Sequence, residues 1–525
     1  MILTNKLIIF PFLFSIFPII LLYSENIDEV PVTELTIPLI LTFLIIFPLF
    51  IIINHILKSG IKAGIILTFL VAIFFSYGHI FNMLQDTPLF YLDLVHQKYV
   101  IISFMIVLIT GVYFLVKTKK DLTNFRSIFN VVSIVMILFV FFNIGGFYLG
   151  NNSDIDELDE ISFGNELDEI SFGNEPTPGH AFPDIYHIVL DEYSSDDVLL
   201  EDFQFDNSEF LNYLVNSNFS IPYNTLANYP VTEQFLFSTL NMKYFHTENF
   251  EEYNRLETEK RISSNFVMKF LKQNGYSIIV PYSGYGPADR FHESNVNSCS
   301  DVLILKSRFL TELSRTTILN YFAEKQIENE RRYTQLCTLS ELQDAGKKYD
   351  KPVYVFAHLF IPHAPYLFDK DGNPVTPQSN KLKGLEGWQN TDGYLNEIQF
   401  INKKMMNIMT KILSESDESI IIIQGDTGSS ILNNPDISDY MKKRLSILYA
   451  IHIPNADTKS FSKNISSVNT YRIIFNNYFE TNLEILDNRY YWFTDPSWGV
   501  LEQEQKELAK MNDINRFKDI TEIMD

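Results

Sequence analysis

Ser419-Ile-Ile-Ile-Ile-Gln-Gly425-Asp426-Thr427-Gly428 is a short apolar run that stops on Gly-Asp-x-Gly. A run of this kind reads as a strand covered on both faces. It carries its acid to the C-terminal edge of a sheet, where open α/β folds hold their ligands. A second run, Asp184-Ile-Tyr-His-Ile-Val-Leu190, also stops on an acid, Asp191. Two strands far apart in sequence can therefore converge two carboxylates on one metal ion.

Around these two runs, strand and helix patterns alternate from Pro183 onward. Further strands are predicted at 276–280, 353–360 and 445–453, several of them almost wholly apolar. Helices are predicted at 208–216, 233–242, 263–273, 394–413 and 468–479. This alternation predicts an α/β domain with a mostly parallel sheet over residues 181–495. The polar segment 303–344 reads as an inserted helical hairpin over the site. The tail, 496–525, is acidic and predicted helical.

Upstream the composition changes. The first 150 residues hold 8 Lys+Arg and 7 Asp+Glu, whereas the remainder holds 33 and 57. Five apolar runs, at 7–23, 36–57, 63–82, 99–116 and 127–149, approach the length needed to cross a core of about 30 Å, which predicts a five-helix transmembrane domain over 1–150. Lys58, Lys62, Lys117, Lys119, Lys120 and Arg126 cluster in two loops, while the first loop carries Glu25, Asp28, Glu29 and Glu34. The positive-inside rule places the basic loops and the N-terminus in the cytoplasm and residues after 150 outside. Few ionisable residues lie in the spans beyond His55 and His79, which weighs against a transport path.

Residues 151–180 repeat Glu-Leu-Asp-Glu-Ile-Ser-Phe-Gly-Asn in tandem and read as an acidic linker. The acidic outer half lacks the Lys/Arg clusters that nucleic acid requires. Cys299 and Cys337 both fall in this half, where a disulfide is permitted.

Three further stretches carry chemistry. Asp191, followed by Glu192, reads either as a helix N-cap or as a metal ligand. Thr232, in Asn228-Tyr-Pro-Val-Thr-Glu233, stands where an extended segment meets a helix. It reads as an N-cap or as a hydroxyl nucleophile beside amides that suit a phosphoryl or sulfuryl group. Phe356-Ala-His358-Leu-Phe-Ile-Pro-His363-Ala-Pro-Tyr366 leaves a strand and delivers two histidines to a turn.

With these stretches in this order, the chain resembles the alkaline phosphatase and sulfatase superfamily, in particular its membrane-anchored, lipoteichoic acid synthase-like branch. The resemblance rests on Pro-Asp-Ile-Tyr-x-Ile-Val-Leu-Asp191, Tyr-Pro-x-Thr232, Pro-His363-x-Pro-Tyr, Gly-Asp426-x-Gly, Arg444-Leu-Ser-Ile-Leu-Tyr-Ala and Ser467-Val-Asn-Thr-Tyr-Arg472. It implies Asp191 and Asp426 as metal ligands and Thr232 as a nucleophile that also touches the metal. It also implies His363 as the group that stabilises the leaving group. His358 and Arg290 are candidates for substrate binding.

Two departures qualify this pattern. The Cys/Ser-x-Pro-x-Arg of formylglycine sulfatases is missing around Thr232, which disfavours sulfate ester hydrolysis. Thr427 stands where the family usually places a histidine, in the fourth ligand position. Because a hydroxyl is a weak zinc donor, manganese or magnesium is expected ahead of zinc, unless Glu192, His358 or His452 reaches the site.

The expected function is that of a membrane-anchored, outward-facing metal-dependent phosphotransferase or phosphodiesterase. It would act through Thr232 on a lipid-linked or cell-envelope phosphodiester. The alternative is a catalytically inactive sulfatase-like domain that binds or scaffolds.

Overall fold

The computed structural model describes residues 7–27, 30–85, 87, 96–150, 182–245, 255–289, 291–302, 304, 306–375, 390–431, 436–454, 465–493 and 517–524. The tandem repeat and Arg290 lie outside the described residues. The chain forms two compact units. One is Met1–Glu160 with Val302–Glu330, and the other is Ile161–Asp301 with Arg331–Asp525.

Among the described residues of the first unit, four helices are long and apolar enough to cross a membrane: Val32–Leu57, Gly60–Leu84, Gln97–Lys117 and Thr123–Leu149. The expected five spans are thereby corrected to four. The first apolar run forms a helix of only 16 residues, Phe10–Glu25. At 1.5 Å per residue it reaches about 24 Å, short of the ~30 Å core. Pro11 sits in its first turn, where a missing N–H costs no helical hydrogen bond, and Pro18 lies in its interior.

The start of that short helix is satisfied by a neighbour. Asn130, buried in the Thr123–Gly150 helix, accepts from the amides of Ile9 at 3.2 Å and Phe10 at 3.1 Å through Oδ1. Its Nδ2 donates to the Leu7 carbonyl at 2.8 Å. On the bundle's outside, Phe43, Ile45, Ile106 and Phe142 are more than half exposed, as lipid-facing residues are.

Helix Arg308–Thr316 and the start of helix Asn320–Lys348 also belong to this unit. The 303–344 insert, read from sequence as a cover for the site, thus commits its first half to the membrane helices. Phe309 packs with Ile19, Tyr23 and Leu35 there.

The second unit is built on a five-stranded sheet: β1 (Ile185–Leu190), β2 (Ser277–Ile279), β3 (Val353–Leu359), β4 (Ile420–Gly425) and β5 (Tyr449–His452), in the order β2-β3-β1-β4-β5. Only β5 runs antiparallel to its neighbour. Every residue of β1, β3, β4 and β5 is buried, which is why these strands read as continuous apolar runs. One face packs helices Thr232–Asn241, Phe266–Gln273 and Thr470–Tyr478. The other packs Ser208–Asn216, Thr391–Glu415 and the second half of Asn320–Lys348.

At the entry to the sheet, Asp184 ties three strands together. Its carboxylate accepts from Val353 N at 3.0 Å and from Lys351 Nζ at 2.6 Å, and its carbonyl accepts from Ile420 N at 2.8 Å. Cys299 and Cys337 are joined by a disulfide, with their Cα atoms 5.6 Å apart. Of the tail, expected helical, residues 517–524 are described: Phe517–Asp519 forms a strand paired with Tyr491–Phe493, and Thr521–Met524 forms a short helix. Ile520 and Met524 bury in the core beside Tyr490 and Trp492.

Replacing Asn130 by Leu removes the partners of two amides and a carbonyl inside an apolar bundle. Its cost is expected to be on the order of 1–3 kcal/mol. A lowered thermal unfolding midpoint of the detergent-solubilised protein is the expected outcome, and an unchanged midpoint would show that the cap carries no weight.

Candidate active site

Strand alternation explains how three residues from distant parts of the chain meet. On β1, Ile185 and Val189 face the same core as Tyr354 on β3 and Ile420 and Ile422 on β4. Val189 lies beside His358 on one side and Gln424 on the other. Continuing the period-2 pattern sends Asp191, His358 and Asp426 to that one face, at the C-terminal edge of three adjacent parallel strands. Because β1 is flanked by β3 and β4, this edge is also where the strand order switches direction.

The three side chains are buried, and each brings a ligand atom within 4.8 Å of the others. His358 Nε2 lies 3.7 Å from Asp191 Oδ2. Burial drives His358 down to about 4, so its ring is neutral near pH 7. Burial, with the charges of Asp426 and Glu192, pushes Asp191 well above the ordinary carboxylate range. Asp191 Oδ1 and both ring nitrogens of His358 are buried and make no hydrogen bond. Buried polar atoms rarely go unpartnered. Two carboxylates and a neutral imidazole with unshared lone pairs fit a divalent cation.

Thr232 reaches the cluster from the helix packed on the same face. It is the first residue of helix Thr232–Asn241, and Val231 occupies the N-cap position, so its hydroxyl does not cap the helix. That hydroxyl instead donates to Asp426 Oδ2 at 2.5 Å. Asp426 Oδ1 accepts from the amides of Glu192 at 3.0 Å and Thr427 at 2.7 Å. Thr427 thus meets Asp426 through its backbone, while its buried hydroxyl makes no hydrogen bond.

Glu192 faces away from the cluster. Its carboxylate sits 3.1 Å from Arg444 Nη1, accepts from Ser430 Oγ at 3.0 Å, and lies 3.9 Å from His363 Nε2. Burial alone would raise this carboxyl, but the Arg444 guanidinium, with His363, holds it below its usual range. Arg444 also donates to the carbonyls of Gly428 and Pro230, bracing the turn after Asp426 against the segment before Thr232. A small cleft adjoins the His363 turn, lined by Ser283, Gly284, Arg331, Gln335, Phe360 and Leu367.

A family model described as "Sulfatase" matches residues 183–455, more than half of the chain. The chain belongs to the sulfatase family. No curated protein matches it. Among solved structures it is similar to the integral membrane lipooligosaccharide phosphoethanolamine transferase A of Neisseria meningitidis, at 13% identity over 89% of this chain and 95% of that one, with a TM-score of 0.41. It is also similar to the periplasmic domain of EptC from Escherichia coli, at 12% over 65% and 93%, TM-score 0.40. The lipoteichoic acid synthase LtaP of Listeria monocytogenes matches at 12% over 62% and 82%, TM-score 0.36.

In this sulfatase-family domain, five of the residues singled out from sequence gather around Asp426: Asp191, Thr232, His358, Thr427 and Asp426 itself. His363 stands apart, linked through Glu192. Of the donors weighed as replacements for the missing histidine, only His358 joins the cluster. Glu192 turns to Arg444, and His452 ends β5 beside the start of β4, with Nδ1 against the Ser419 carbonyl. Sequence reading missed Arg444 and Ser430 as neighbours of the site. Arg444 was visible only as the head of a closing-strand motif, with nothing to show that it reaches back to Glu192.

The turn carrying His363 is anchored by Glu397, whose Oε1 accepts from the amides of Leu367 at 2.5 Å and Phe368 at 3.2 Å. Burial raises Glu397 to about 8. Since the folded state holds this proton more tightly than the unfolded one, stability is full below about pH 4.5 and declines as pH rises toward 8. Glu397→Gln should therefore raise the thermal midpoint at pH 8–9, by up to about 5 kcal/mol in free energy, with no gain near pH 4.5. A gain independent of pH would show that Glu397 does not titrate in this range.

Proposed function

We propose that this protein is a membrane-anchored, extracytoplasmic metal-dependent phosphotransferase or phosphodiesterase. In this reading Thr232 is its nucleophile and a lipid or lipid-linked phosphodiester its substrate. The observation that carries it is the 2.5 Å hydrogen bond from the Thr232 hydroxyl to Asp426, at the edge of a buried Asp/His/Asp cluster. Asp191, His358 and Asp426 would hold the metal, so we assign His358 a ligand role in preference to substrate binding. Its imidazole restores the nitrogen donor that Thr427 lacks, and zinc and manganese both suit the set. When bound, such an ion supplies positive charge that stabilises the developing charge on phosphoryl oxygens.

The chain's own groups account for the rest. Asp426 orients the Thr232 hydroxyl and accepts its proton as the oxygen attacks phosphorus. No side chain caps the first turn of helix Thr232–Asn241, so its positive end faces the reacting phosphoryl group. His363 would give a proton to the departing alkoxide, and Glu192 would hold that imidazole in place. Water or an acceptor hydroxyl then displaces the threonine, completing hydrolysis or transfer.

An outward orientation is supported by the loops alone, without counting spans. The basic loops follow helices Thr36–Leu57 and Gln97–Lys117, and with those loops inside, the residues after helix Thr123–Gly150 emerge outside. The scaffold reading predicts no metal, whereas the buried, unpartnered donor atoms favour a bound cation.

Thr232→Ala is expected to cut turnover of an accepted phosphodiester by roughly a thousandfold or more while leaving the fold intact, with Thr232→Ser recovering part of the loss. Unchanged turnover would refute the nucleophile. Elemental analysis of the purified protein should find about one zinc or manganese per chain, and His358→Gln should weaken its affinity at least about tenfold. A metal-free protein that binds neither ion would favour the scaffold.

A further inference from the structure

Between Cys299 and Cys337 the chain leaves one compact unit and joins the other. Residues Val302–Glu330 belong with the membrane helices, whereas both cysteines belong with the sulfatase-family domain. The excursion is built into the helix bundle by specific contacts. Glu34 accepts from Ser307 Oγ at 2.6 Å and from the Phe309 amide at 3.2 Å, at the start of helix Arg308–Thr316. The Ile318 amide donates to the Phe74 carbonyl at 3.0 Å, and Gln97 Nε2 donates to Glu324 at 3.0 Å. Gly78 permits the closest approach, since a Cβ there would lie 2.7 Å from Thr316 Cα.

All these contacts fall at one end of the bundle. Glu34 precedes helix Thr36–Leu57, Gln97 opens helix Gln97–Lys117, and Phe74 and Gly78 lie in the second half of helix Gly60–Gln85. Lys62 marks the opposite end, where its Nζ donates to the carbonyls of Val116 and Thr118. Helix Gln97–Lys117 is about 31 Å long, so Gln97 stands close to the boundary of a core of about 30 Å.

At that level the excursion shows an apolar surface that the described residues leave uncovered. Ile318 packs onto Tyr77, Phe81 and Val100. Its neighbours Leu319, Tyr321 and Phe322 are 50%, 49% and 69% exposed. They continue the lipid-facing belt of the adjacent spans, where Ile80, Met83 and Tyr99 are also exposed. Aromatic side chains at this depth favour the headgroup region.

We propose that residues 306–330 form an interfacial membrane element, with Leu319, Tyr321 and Phe322 buried at the headgroup–acyl boundary of the bilayer that the spans cross. The disulfide closes the stem of this excursion, so the chain ties the domain to the membrane unit there as well as after helix Thr123–Gly150. The inference does not depend on catalytic activity.

The test is tryptophan fluorescence of the full-length Phe322→Trp protein in nanodiscs, read as the difference from wild type with its three native tryptophans. Phe139→Trp, on an exposed mid-span position, provides a deep reference. The difference signal of Phe322→Trp is expected to fall at least twofold in lipids brominated at acyl carbons 6 and 7, and less in lipids brominated at 11 and 12. Aqueous acrylamide should quench it weakly. Strong acrylamide quenching without an effect of either brominated lipid would overturn the proposal, as would quenching that follows the deep pattern of the Phe139→Trp reference.

Discussion

Two carboxylates buried side by side govern the rest of the site. Asp191 and Asp426 sit at the C-terminal edge of adjacent strands, in surroundings where like charges repel strongly and neither is well solvated. The fold answers this on Asp426 with two backbone amides and a threonine hydroxyl. It answers at longer range with Arg444, whose charge is shared with Glu192. Asp191 receives less: its Oδ1 has no hydrogen-bond partner, and the nearby imidazole is neutral. The protein's own groups therefore compensate one acid and leave the other to be compensated by a cation or a proton. That asymmetry, more than the presence of any one motif, marks this edge of the sheet as a place for chemistry.

How much of this was legible in the sequence depended on whether the signal was local. Asp191 and Asp426 announce themselves because each ends an unbroken apolar run. The parallel sheet follows from several such runs alternating with helices. Thr232 was legible as a helix start, although its freedom from capping required the backbone to show Val231 in the cap position. His358 was visible as a histidine near a strand end, but its place beside Asp191 depends on the β1–β3 register, a pairing between segments far apart in sequence. Arg444 was the least legible, since a half-buried arginine at a helix end carries no local sign of where its side chain goes.

The membrane half shows the same division. Apolar runs predicted helices near the observed positions, yet counting spans required length, and helix Phe10–Glu25 has only 16 residues. The 302–330 excursion offered only a polar, amphipathic pattern, which looks the same whether its apolar stripe faces a soluble core or a bundle. The deciding contacts, Ser307 with Glu34 and Ile318 with Phe74, are long-range pairings that no periodicity encodes.

The replacement of a loop histidine by Thr427 gains a physical meaning from where His358 stands. A ligand on the turn after Asp426 would depend on that turn for its position. A ligand at His358 is held by the ladder between β3 and β1, where it pairs with Val189. Under the proposed reading, the three ligands then come from three adjacent strands, β3, β1 and β4. Their backbones are fixed by the sheet's own spacing, about 4.8 Å between strands, and only side-chain rotation remains to bring the donors to coordination distance. The turn after Asp426 is released from ligand duty. Its Thr427 amide instead donates to the Asp426 carboxylate that accepts from the Thr232 hydroxyl, so in that reading β3 supplies the nitrogen donor and the turn serves the nucleophile.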